Sequence, residues 1–139
     1  MTTPDSSACS ETAPRATVVL VVEDEVLVRF ALADYLREQG FKVYEARSAD
    51  EAIELLSFYK GQIDVVFSDV KMPGHLDGIA LAGWIKKNRP GLPVILTSGE
   101  LRLGWDATQQ GQFLGKPYDL KHVLALIEGA AKDRSVDGN

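Results

Sequence analysis

The sequence predicts an α/β fold, a doubly wound five-stranded parallel sheet with helices on both faces. Short runs dominated by Val, Ile and Leu alternate with stretches whose apolar residues recur three and four positions apart. The first run, "TVVLVV" (17–22), is β-branched almost without interruption. A strand buried on both faces reads that way. Parallel strands joined through helices take right-handed crossovers, which leaves few topologies.

The elements follow in order. After "TVVLVV", Val28, Leu32, Tyr35 and Leu36 mark a first helix that Gly40 stops. "FKVYEA" (41–46) alternates as a second strand. Ser48 is an N-cap with Glu51 in capping-box position, and Ala49, Ala52, Ile53 and Leu56 form the stripe behind it. "IDVVFSD" (63–69) is the third strand. Leu81, Ala82 and Ile85 lie on a third helix ended by Pro90. "LPVILT" (92–97) and "QFLGK" (112–116) are the fourth and fifth strands. Leu120, Val123, Leu124 and Ile127 make the stripe of a final helix. Between Thr97 and Lys116, with Gly99, Gly104 and Gly111 inside, the periodicity is weak and a fourth helix would be short or irregular. Residues 1–16 read as a flexible tail, 17–132 as the domain, and 133–139 as a frayed end.

Composition narrows the function. A chain of 139 residues fits one domain with a single well-filled core. The net charge of −5 argues against a nucleic-acid partner, which needs a basic patch. No apolar run approaches the roughly 18 residues of a membrane span. The N-terminal stretch has no apolar h-region of a secretory signal, and Cys9 is the single cysteine, so a reducing cytoplasm is expected. One cysteine and two histidines do not make a conventional zinc site.

The informative residues stand at strand ends, where open α/β sheets bind ligands. They are Glu23, Asp24 and Glu25 after the first strand, Asp69 after the third, Thr97 and Ser98 after the fourth, and Lys116 with Pro117 after the fifth. Carboxylates crowded at one edge raise each other's pKa. A hard divalent cation removes that conflict, and oxygen ligands around a small cleft suit magnesium. Lys116 would offer its charge, and Thr97 a hydrogen bond, to a phosphoryl group. Asp69 would be the nucleophile. Ser98 is the rival of Thr97, because a slip of one residue exchanges the hydroxyl that faces the site.

With these residues in place, the chain resembles the receiver domain of two-component response regulators, the CheY-like superfamily with a flavodoxin-like (βα)5 fold. The matching motifs are "VLVVEDE", "DVKMPG" followed by "DG", "VILTSG" and "FLGKPY". The resemblance implies that Glu23, Asp24, Asp69 and the carbonyl of Lys71 hold Mg2+, that Asp69 is the phosphoacceptor, and that Thr97 and Lys116 hold the phosphoryl oxygens. It implies a cis peptide at Lys116–Pro117 and an aromatic switch at Phe113, which plain core packing explains equally well. It also implies a histidine kinase or phosphotransfer protein as partner, and extends to this chain a weak homodimer through the face of helix four, strand five and helix five. "MPGHLDG" carries one residue more than the usual pattern, and the segment before Lys116 is short.

The residue readings outside that set are plain. Glu25 is a solvated residue of the first helical turn, His75 a loop residue, His122 a solvated helix side, and Trp84 and Trp105 packing or partner contacts. With only residues 133–139 after the last helix, a single-domain regulator is expected, acting as a phosphorelay shuttle, a sink or a protein-binding switch. A phosphate-independent scaffold is the alternative. An aspartyl phosphatase is disfavoured, since Lys71 stands where such enzymes carry a second aspartate. A flavin protein is disfavoured too, since "EDE" after the first strand would repel a phosphate.

Overall fold

The computed structural model describes residues 16–72, 74, 76–99 and 112–137, with side chains through Lys132. The elements are β1 (Val18–Val22), α1 (Val26–Glu38), β2 (Lys42–Ala46), α2 (Ala49–Phe58), β3 (Val65–Asp69), α3 (Gly78–Asn88), β4 (Val94–Ser98), β5 (Gln112–Gly115) and α4 (Leu120–Asp137). All neighbouring strands pair in parallel, in the order β2-β1-β3-β4-β5. The chain leaves β1 first to one side and then to the other, so the switch point lies between β1 and β3.

The unbroken apolar run of β1 is explained by what covers it. Val18, Leu20 and Val22 pack into one core layer with Ala52 and Leu56 of α2 and Leu81 and Ile85 of α3. Val19 and Val21 pack into the other, with Leu32 and Leu36 of α1 and Val123 and Ile127 of α4. Both side-chain sets of one strand are therefore buried. Each fully buried Leu among them contributes about 1.5–3 kcal/mol. β2 is an edge strand, and its Tyr44 and Glu45 are only half-buried.

Local signals set the helix ends. Ser48 Oγ accepts from the Glu51 N–H at 3.1 Å, as expected of an N-cap. The return half of the capping box differs: the Glu51 carboxylate accepts from the Arg47 N–H at 2.8 Å, one residue earlier than Ser48. Gly40 takes φ +98°, the left-handed conformation that ends α1. Arg89, the cap of α3, donates from Nη1 to the Leu56 carbonyl (2.8 Å) and ties α3 to the last turn of α2.

Two expectations shift at the C-terminus. The buried line of α4 is Val123, Ile127 and Ala130, with Leu120 and Leu124 half-buried beside it. The helix backbone continues through Asp137, so polar residues after Lys132 lie within it rather than past its end. Residues 1–15 of the tail expected over 1–16, the fourth-helix segment over 100–111, Cys9, His75 and Trp105 lie outside the described residues. No helix among the described residues is long and apolar enough to cross a membrane.

Candidate functional site

The carboxyl ends of β1, β3, β4 and β5 meet at one edge. Glu23 follows β1 directly, its N–H donating to the Ala46 carbonyl (2.9 Å) at the end of β2. Its carboxylate turns back to accept from the Glu25 N–H at 3.1 Å. Asp24, the next residue, is exposed. Asp69 is the last residue of β3 and only 6% exposed. Oxygens of Glu23, Asp24 and Asp69 all lie within 4.8 Å of one another.

Lys116 follows β5 and offsets this charge. Its Nζ is 3.0 Å from Asp69 Oδ2 and 4.0 Å from Glu23 Oε1. The Lys116–Pro117 peptide is cis, as the family resemblance implied. Burial works against the ammonium, but the hydrogen bond and charge of Asp69, with Glu23 behind, hold its pKa above the usual 10.5. Glu23 shows the opposite strain. Burial, with a smaller push from Asp69, raises its carboxyl from 4.5 to about 7, although the Glu25 N–H and Lys116 pull the other way.

Register decides which hydroxyl faces Asp69. β3 and β4 pair Asp69 directly with Thr97, and paired residues of parallel strands share a face. Thr97 is 1% exposed, and its Oγ1 has no hydrogen-bond partner among the described residues. Ser98 falls on the other face by alternation and is half-exposed. Phe113 pairs with Leu96, and both join the layer of α2 and α3. Thr97 pairs instead with Leu114, which joins the layer of α1 and α4. Phe113 therefore packs on the opposite side of the sheet from Thr97.

The rim is built by α3 and the loop before it. Lys71 is exposed and lines a shallow cleft with Asp24, Met72 and Asp77. Asp77 caps α3, accepting from the Ala80 N–H at 2.9 Å. The Gly78 N–H donates to the Val70 carbonyl (2.7 Å), and a Cβ on Gly78 would collide with the Asp69 carbonyl. The "DG" pair thus seats α3 against the end of β3.

Sequence reasoning did not single out three contributors. Gly78 was visible within a motif, but its close approach to Asp69 was not. Tyr118 sets its ring edge-on to Phe67, with centroids 5.8 Å apart, and lines a cleft with Lys116 and Pro117. Arg29 donates from Nη1 to the Glu23 carbonyl at 2.8 Å. A charged residue amid the apolar residues of the first helix was the one signal for it.

This arrangement has a counterpart among known proteins. The sequence profile of the response regulator receiver domain matches residues 19–128. The chain belongs to the receiver-domain family. It is 40% identical over 114 residues to the transcriptional regulatory protein PdtaR of Mycobacterium tuberculosis, covering 79% of this chain and 54% of that protein. It is 34% identical over 117 residues to the sensor kinase CckA of Brucella abortus, covering 81% of this chain and 12% of that protein. The chain spans half or less of most of these relatives, 24% for the regulator NtrC of Escherichia coli. Among solved structures, a receiver domain from Clostridium thermocellum superposes with TM-score 0.80 at 28% identity, covering 86% of this chain and 98% of that one. The receiver domain of NtrX from Brucella abortus superposes with TM-score 0.74 at 33% identity, covering 82% and 98%.

The receiver's donor set also fits a metal of one kind. Glu23, Asp24 and Asp69 offer only hard oxygens, and a divalent cation would favour the charged form of Glu23 against the burial, and the smaller push from Asp69, that raise its carboxyl. Among the described residues no thiol or imidazole joins the cluster, and an all-oxygen donor set suits hard cations.

Proposed function

We propose that the protein accepts a phosphoryl group on Asp69 from a phosphohistidine of a histidine kinase or phosphotransfer protein, as a relay, sink or binding switch. One observation carries the reading. Asp69 sits at the carboxyl edge of the sheet between an ammonium 3.0 Å away and, in register, a buried hydroxyl with no partner among the described residues. That is a nucleophile with groups beside it suited to phosphoryl oxygens. An Asp69 oxygen attacks phosphorus, the P–N bond breaks, and its electron pair stays on the donor imidazole. Lys116 moves its attraction from the carboxylate to the phosphoryl oxygens, and Thr97 donates a hydrogen bond to one of them. Glu23, Asp24, Asp69 and the Lys71 carbonyl would hold magnesium, which when bound supplies positive charge to the oxygens of donor and acceptor.

Val26, Leu27 and Phe30 stand exposed on the first turns of α1, beside the acidic turn, with Leu27 at 79%. They support a protein partner that presents its histidine over Asp69. The test is incubation with acetyl phosphate and magnesium. The wild type should gain a hydroxylamine-labile label, as an acyl phosphate is, and Asp69→Asn should lose it. A label that persists in Asp69→Asn overturns the assignment.

A further inference from the structure

We infer that Arg29 is a positioning residue for the acidic turn, locking Glu23 so that its carboxylate can serve only the Asp69 site. The inference rests on the function proposed above for that site. Arg29 lies one turn into α1, and its side chain is only 16% exposed. Its guanidinium makes two directed contacts. Nη1 donates to the Glu23 carbonyl at 2.8 Å, and Nε donates to Glu45 Oε1 at 3.2 Å on the edge strand β2. Its own backbone N–H donates to the Glu25 carbonyl at 2.9 Å, the first bond of the helix. Arg29 thus closes the β1–α1 turn on itself and fastens it to β2.

Glu23 is held by two other bonds besides that from Arg29. Its N–H goes to the Ala46 carbonyl, its carbonyl to Arg29, and one carboxylate oxygen to the Glu25 N–H. The choice of the carbonyl matters. A guanidinium paired to the Glu23 carboxylate would compete with any cation there, whereas one paired to the carbonyl leaves the carboxylate facing Asp69. Groups that orient metal ligands from outside are worth about 10–100-fold in metal affinity. Lysine could not replace this, since a point charge does not bridge two acceptors with the planar fork of arginine.

Arg37 is the internal control. It also pairs with Glu45, Nη1 to Oε2 at 3.1 Å, and donates from Nη2 to the Val43 carbonyl at 2.8 Å. It carries the same charge to the same carboxylate, but its backbone bond goes to Val43 of β2 rather than to the Glu23 carbonyl. The experiment compares wild type, Arg29→Met, Arg29→Lys and Arg37→Met in the full chain. Magnesium affinity is read from the concentration dependence of thermal stability, and hydrogen exchange of the Glu23 and Glu25 amides is read in chelator. Arg29→Met should weaken magnesium about tenfold or more and speed both amides, with Arg29→Lys intermediate and Arg37→Met like wild type. Wild-type affinity in Arg29→Met, or an equal loss in Arg37→Met, overturns the inference. If Arg29→Met does not fold, Arg29→Lys against Arg37→Lys makes the same comparison. A wild type that neither binds magnesium nor takes up phosphate defeats the proposed function instead, and the amide exchange then decides the role of Arg29 alone.

Discussion

Thr97 carries a cost at rest that the proposed chemistry would repay. A buried hydroxyl without a hydrogen bond costs about 1–3 kcal/mol, and Thr97 Oγ1 has no such bond among the described residues. Valine has nearly the same shape, suits a strand and carries no polar atom. Thr97→Val should therefore leave the resting protein as stable as wild type or stabilise it by about 1 kcal/mol, measured by urea unfolding. The same variant should gain less stability than wild type from beryllofluoride with magnesium. A loss of stability at rest would show that the hydroxyl already has a partner. At this scale the sequence exposed the charged residues, because Glu23, Asp24, Asp69 and Lys116 interrupt or follow apolar runs. It did not expose Arg29, whose role depends on a side chain reaching back to a carbonyl six positions earlier. Nor could it place Phe113 on the face away from Thr97, which follows from the pairing of β4 with β5.

Among the elements, the start of α3 is where fold and site depend on each other most. Asp77→Ala removes an N-cap and should cost about 1 kcal/mol. Gly78→Ala should cost more, because its Cβ would meet the Asp69 carbonyl, which is backbone and cannot swing aside. The end of β3 or the first turn of α3 must then shift, and phosphorylation by acetyl phosphate should slow. Gly83→Ala is the control within the same helix. It is exposed with open space around it, so it should stabilise by about 1 kcal/mol through helix propensity. Urea unfolding and labelling rates of the three variants check this, and equal behaviour of Gly78→Ala and Gly83→Ala would refute it. Element positions were legible because apolar periodicity is a local signal. Details that depend on a neighbour were not. The Glu51 carboxylate went to Arg47 rather than Ser48, and the buried line of α4 settled on Val123, Ile127 and Ala130.

At the scale of the whole molecule, two apolar layers hold a sheet whose carboxyl edge collects charge. Fold class was readable because β1 and β3 are apolar on both faces, which only a covered sheet accommodates. The order β2-β1-β3-β4-β5 comes from how the crossovers pack and is not written in any one segment. The charged edge taxes the stability of the metal-free protein in a pH-dependent way. Glu23 titrates near 4.5 when unfolded and near 7 when folded. Between those values the folded state holds a proton that the unfolded state has released, so this group makes stability fall as pH rises from about 4.5 to about 7. Other groups titrate across the same window, and the difference between wild type and Glu23→Gln isolates this one. Glutamine keeps an oxygen that can accept from the Glu25 N–H but has no charge to lose. In chelator, wild type should lose stability relative to Glu23→Gln as pH is raised across that window, and the difference should level off above it. Magnesium at about 100 times its dissociation constant should return about 2.7 kcal/mol to the wild type, and it should do so better at pH 8 than at pH 5, where a proton competes for Glu23. Parallel pH profiles for the two proteins in chelator would show that Glu23 does not strain the edge.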